Sequence, residues 1–180
     1  TADVLIENFS PRVLDNFGIT WDRVHARNPR VVMVRMPAFG LTGPWRDRTG
    51  FAQTMEQASG MAWMTGFPEQ IPVIVRGACD PVAGLHASFA LLAALDERDR
   101  TGIGRHVEST MVEAALNVAA ELSIEYSAHG ISLCRDGNRG PGAAPQGIYP
   151  CAAGEGRESW LALAVRDDDD WIALRTALGD

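Results

Sequence analysis

Apolar residues along this chain follow two rhythms. The unbroken runs Val4-Leu5-Ile6 and Val31-Val32-Met33-Val34 have the character of strands buried on both faces of a parallel sheet. Between them, Ser10 followed by Pro11-Arg12-Val13-Leu14 predicts a helix with Ser10 as N-cap and a stop at Gly18. Trp21 to Arg27 predicts a second short helix, ended by Asn28-Pro29. Strand, helix and strand in succession predict an α/β fold. A turn-rich stretch, Phe39 to Trp45, precedes a helix from about Phe51 to Gly60 and a loop from Gly66 to Gln70. Pro81 to Arg98 is the clearest helix, with Val82, Leu85, Phe89, Leu92 and Leu95 on one apolar face at helical spacing. A brief strand at Arg105 to Val107 and one long Ala-rich helix, Met111 to Ser127, complete this part.

The pattern then changes. His129 to Gly147 is rich in glycine and poor in large apolar residues, which is the composition of a linker or mobile loop. Ile148-Tyr149 and Trp160 to Val165 read as strands, and a helix begins at Asp167–Asp170. The expected organisation is a large domain over 1–115, a linker helix and loop over 116–139, and the start of a small domain over 140–180. Thr1 lies within a residue or two of a strand pattern and the chain stops on a helix end, so a piece of a longer chain is expected.

Composition narrows the classes. The 180 residues are 46% apolar and 22% charged, as in folded soluble proteins. No apolar run approaches the roughly 20 residues that cross a bilayer, so no membrane partner is expected and a cytoplasmic location is the default. The net charge of −7 argues against nucleic acid as a partner. All sixteen basic residues are Arg, which leaves no Lys here for Schiff-base chemistry. Cys79, Cys134 and Cys151 are too scattered for a disulfide framework or a zinc site. No metal site is expected; Asp167 to Asp170 lacks alternating ligand spacing and reads as the acidic start of a helix.

The candidate chemistry centres on Asp80. An Asp followed by Pro at the head of an amphipathic helix is, in its plainest reading, an N-cap. The same position offers N–H donors that would hold a reactive carboxylate ionised. Cys79 next to it has no His linked in sequence as a base, and reads as packing.

Four blocks occur in order: Asp3-Val4-Leu5-Ile6-Glu7-Asn8-Phe9 running on to Phe17-Gly18; Phe39-Gly40-Leu41-Thr42-Gly43-Pro44; Gly77-Ala78-Cys79-Asp80 with Gly84-Leu85-His86 and Thr101-Gly102-Ile103-Gly104-Arg105; and Ala144-Pro145-Gln146-Gly147-Ile148-Tyr149-Pro150-Cys151. Together they resemble the family III CoA-transferases, the CaiB/BaiF group. The resemblance implies a partial Rossmann-like CoA-transferase large domain followed by the start of a small α+β domain. It implies that Asp80 is the catalytic aspartate, which passes through an aspartyl-CoA thioester as CoA moves from an acyl-CoA to a carboxylic acid. CoA and acyl-CoA enter as substrates, with no permanently bound cofactor. Asn8, Phe9, Val13, Asn16, Phe17 and Met111 fall on positions that contact CoA; at Asn16 members can carry Arg instead. Gly140, Gly142, Gln146 and Gly147 fall in the glycine-rich loop that closes over the intermediate, with Pro141, Ala143 and Ala144 replacing several glycines. Gln53, Glu56 and Gln57 stand where members shape the acyl pocket.

The resemblance also implies an interlocked homodimer. Two other readings stand beside it. An α-methylacyl-CoA racemase of the same family would need a His after Gly50, where this chain has Phe51. A non-catalytic fragment or interaction module is the alternative from another class, and the isolated 180 residues are expected to be inactive.

Overall fold

The computed structural model describes residues 2–152 and 158–179; Thr1 and Asp180, the two ends noted above, lie outside them. The chain divides into two units, one of Thr1–Met64 with Val73–Leu133 and one of Thr65–Pro72 with Cys134–Asp180.

The first unit carries β1 (Val4–Glu7), α1 (Pro11–Asn16), α2 (Trp21–Arg27), β2 (Val32–Arg35), α3 (Ala52–Ala58), α4 (Met61–Met64), α5 (Cys79–Thr101), β3 (His106–Glu108), α6 (Met111–Val118) and α7 (Ala120–His129). Its sheet is parallel with order β1-β2-β3; Val4 lies opposite Val32, and Met33 opposite His106. Every residue of the central β2 is buried, which is why its apolar run is continuous rather than alternating. Helix α5 covers the sheet through Ala87 and Ala94 against Val32 and Val34, flanked by Leu91, Leu95, Met36 and Val107. A second cluster joins Ala52 and Met55 of α3, Cys79 of α5 and Ala115 of α6.

The α/β expectation holds, with three local corrections. First, α5 buries Cys79, Ala83, Ala87 and Ala94, whereas Leu85, Phe89 and Leu92 are 70%, 77% and 66% exposed. This helix is apolar on more than one side, and small residues let it lie close to the sheet, so periodicity alone could not select the buried face. Second, the helix expected over Met111 to Ser127 breaks at Ala119, whose φ of −93° and ψ of 22° leave the helical well. Alanine gives no sequence signal for such a break. Third, α5 begins before Asp80: Ala78 holds the cap position and Asp80 lies in the first turn, so Asp80 is not the N-cap.

In the second unit, β4 (Gln146–Pro150) and β5 (Trp160–Ala164) form an antiparallel pair, with Gln146 opposite Ala164. Helix α8 (Asp168–Leu178) starts as its acidic sequence suggests, with Asp167 Oδ1 accepting the Asp170 N–H at 2.9 Å. Residues 65–72 join this unit through Gly137 N–H to Gly66 O at 2.9 Å and Arg135 Nε to Phe67 O and Gln70 O, both 3.0 Å. The glycine-rich loop is shorter than expected. Ala144 N–H donates to Val165 O at 2.9 Å and Val165 N–H to Pro145 O at 3.0 Å, and Gln146 and Gly147 already belong to β4. Among the described residues, no helix is long and apolar enough to cross a membrane.

Candidate functional site

Three backbone positions just past the carboxyl ends of the parallel strands come together: Asn8 after β1, Met36 after β2 and Met111 after β3. With Asp80, Ala83 and Gly84 of α5 they line a cleft of about 160 Å³. Crevices outside the carboxyl ends of parallel strands are where open α/β sheets bind ligands. Asp80 is exposed and stands in the first turn of a 23-residue helix, where the helix dipole favours negative charge. Among the described residues lining this cleft, Asp80 alone carries an ionisable side chain.

The loops around the cleft are held by buried or reaching side chains. Arg35 Nε donates to Glu7 Oε1 at 2.5 Å, and Glu7 Oε2 accepts the Phe9 N–H at 2.9 Å, so Asn8 sits between two anchored residues. Glu108 at the end of β3 accepts the Leu41 N–H at 2.6 Å and fixes the Phe39–Pro44 turn. Before α5, Arg76 and Gly77 have φ of 63° and 97°, and Gly77 and Ala78 donate their N–H groups to Glu56 Oε1 of α3 at 2.7 and 2.8 Å. Cys79 is wholly buried; burial first, then the negative charges of Glu56 and Asp80, push its thiol pKa up. A thiol held protonated is packing rather than a nucleophile, as its sequence context suggests.

Of the residues singled out from sequence, Asp80, Asn8 and Met111 meet in the cleft. Phe9 is adjacent to it in sequence and 55% exposed. Val13 and Asn16 lie on α1, and Phe17 follows it at 73% exposure, lining instead a groove of about 580 Å³ with Leu5, Ile19, Arg23 and Arg27. In the second unit, Gln146 and Gly147 line a cleft of about 300 Å³ with Phe67, Arg139 and Tyr149. Gly140 packs on the Gln146 side chain: a Cβ there would stand 2.7 Å from the Gln146 amide, whereas at Gly142 it would meet open space.

Met36, Ala83 and the clamp made by Glu56 escaped the sequence reading, whereas Gly84 stood in the third motif block. Ala83 follows Asp80 by three residues, a spacing that shares a helix face, and could have been found that way. Met36 and Glu56 reach the site only through the tertiary fold.

A carboxylate at the head of a helix, beside an open crevice of a parallel sheet, is a site for small-molecule chemistry on an α/β scaffold. The chain belongs to CoA-transferase family III, whose model matches residues 1–180. It is 35% identical over 179 residues to the succinyl-CoA--D-citramalate CoA-transferase of Chloroflexus aurantiacus, covering 99% of this chain and 44% of that protein. It is 36% identical over 199 residues to the formyl-CoA:oxalate CoA-transferase of Rhodopseudomonas palustris, covering 100% of this chain and 46% of that protein. A crystal structure of a CaiB/BaiF family protein from Brucella suis superposes with a TM-score of 0.84 at 32% identity, over 99% of this chain and 46% of that one. The chain therefore spans less than half the length of these relatives.

Proposed function

We propose that the protein to which this chain contributes moves CoA from an acyl-CoA to a carboxylic acid through a thioester on Asp80. The observation that carries this reading is the exposed Asp80 carboxylate as the one ionisable group among the described residues lining the strand-end cleft. An Asp80 oxygen attacks the thioester carbonyl, forming a mixed anhydride and expelling CoA thiolate. The thiolate attacks the aspartyl carbonyl, giving the aspartyl-CoA thioester and releasing the donor's carboxylate. The acceptor carboxylate then attacks that thioester, giving a second anhydride and free thiolate. Attack of the thiolate on the acceptor's acyl carbon yields the new acyl-CoA and restores Asp80. Each step is an acyl exchange at an sp² carbon, and no group other than Asp80 need be ionised by the protein.

Asn8 and Met111 flank the nucleophile and are assigned to CoA contact, together with Phe9, Val13, Asn16 and Phe17. Gly140, Gly142, Gln146 and Gly147 are assigned to covering the intermediate. The acting protein is an interlocked homodimer in the cytoplasm, and the 180 residues alone are inactive because they hold only part of the CoA site. Racemisation would need a second acid or base opposite Asp80. The position that supplies it in racemases is Phe51 here, a phenyl ring 79% exposed.

The test is intact mass spectrometry of the full-length protein that contains this chain, after mixing with acetyl-, succinyl- or formyl-CoA and then hydroxylamine or borohydride. An adduct or reduced product at Asp80, absent from Asp80→Ala, supports the reading. A protein that binds CoA yet forms no adduct with any of the three refutes it.

A further inference from the structure

Glu56 is fully buried at the end of α3, and only one of its carboxylate oxygens has a visible task. Oε1 takes both N–H groups of the Gly77-Ala78 turn, while Oε2 is buried without a hydrogen-bond partner. That turn leads directly into α5, and it is conformationally demanding. Arg76 is the one non-glycine described residue with positive φ, at 63°, and Gly77 follows at 97°. Such backbone persists where its surroundings over-determine it. No side chain caps α5, since Ala78 occupies the cap position. The fixing contact comes instead from a residue 21 and 22 positions earlier in the chain.

We propose that Glu56 is a positioning residue for the nucleophile: it clamps the Arg76-Gly77-Ala78 turn and so sets where the first turn of α5 presents Asp80. The inference rests on the reading of Asp80 as the nucleophile. Its physical basis is the geometry of attack, which needs the reacting atoms about 3–3.5 Å apart and loses rate steeply with small displacements. The acceptor oxygen is what matters, so Gln, which keeps an oxygen of that reach, substitutes for Glu. Methionine keeps the volume and removes the acceptor, leaving two N–H groups without a partner.

The experiment is the rate of Asp80 adduct formation in the full-length protein that contains this chain, using whichever of acetyl-, succinyl- or formyl-CoA labels the wild type, at varied concentration. Glu56→Met is expected to label about 100-fold more slowly, with its half-saturating acyl-CoA concentration changed by less than about 3-fold. Glu56→Gln is expected to stay within about 5-fold of wild type. Labelling of Glu56→Met at the wild-type rate, or a fall in Glu56→Gln as deep as that of Glu56→Met, overturns the positioning role and leaves Asp80 untouched. Failure of the wild type to label at all removes the nucleophile reading and this inference with it. Should Glu56→Met not fold, hydrogen exchange of the wild type decides. Slow exchange of the Gly77 and Ala78 amides supports the clamp, and exchange as fast as in exposed loops overturns it.

Discussion

Replacing Arg35 by methionine removes one half of a buried ion pair while keeping most of the side chain's volume. Glu7 and Arg35 are each 7% exposed, and the pair links the ends of β1 and β2 at 2.5 Å. Arg35 also reaches Pro11 O at 3.5 Å. Without the guanidinium, the Glu7 carboxylate stays buried with the Phe9 N–H as its remaining donor. Removing one partner of such a pair costs about 3–5 kcal/mol, because the other charge is left uncompensated. That is a large share of a typical folding stability of about 5–15 kcal/mol. Glu7→Leu combined with Arg35→Met leaves no uncompensated charge and should be about 2 kcal/mol more stable than Arg35→Met alone, even after Phe9 N–H loses its acceptor. Equilibrium denaturation of the full chain, arranged as a double-mutant cycle, measures both quantities. A cost below about 1 kcal/mol for Arg35→Met would place the pair among solvent-screened surface contacts. That result, or a double variant no more stable than the single one, refutes the reasoning.

Three further outcomes are expected. His106 keeps an exposed edge on β3, and partial desolvation first and the Arg35 charge second hold the pKa of its imidazole below its ordinary value, so it resists protonation in the folded protein. The unfolded chain therefore takes up that proton first, so stability is full above about pH 6.5 and declines as pH falls through it; His106→Gln should flatten that decline in a denaturation series. Iodoacetamide at neutral pH should modify the exposed Cys134 and Cys151 well before the buried Cys79, as peptide mass mapping would show; early loss of Cys79 contradicts the packing described. Gly104→Ala places a Cβ 1.8 Å from Val31 O, a backbone atom that cannot step aside, and should cost about 3 kcal/mol or more in the same denaturation assay.

The sequence by itself determined the elements whose signals are local. Continuous apolar runs marked β1 and β2, but only β2 is buried along its whole length as a strand covered on both faces must be; in β1, Ile6 is 54% exposed. The acidic run at 167–170 marked the start of α8, because an Asp at a helix head satisfies an otherwise orphan N–H. The ordered motif blocks pointed to the family, and that resemblance singled out Asp80, Asn8 and Met111, three residues that then meet in one cleft. What local pattern could not reach is whatever depends on partners distant in the chain. Periodicity could not tell which side of α5 faces the sheet, since leucines and alanines both recur at helical spacing and only the sheet selects the alanines. Ile148-Tyr149 marked the strand β4, but the glycine-rich stretch hid its first residues, because pairing with β5 extends β4 back to Gln146 and Gly147. Met36 carries no motif of its own, and the resemblance put Glu56 at the acyl pocket rather than at the turn before Asp80. The first reaches the cleft because β2 ends beside β1 and β3, and the second reaches the turn before Asp80 because α3 packs on α5. Tertiary structure alone decides such placements, because burial and hydrogen bonding act through space between residues that the chain keeps far apart.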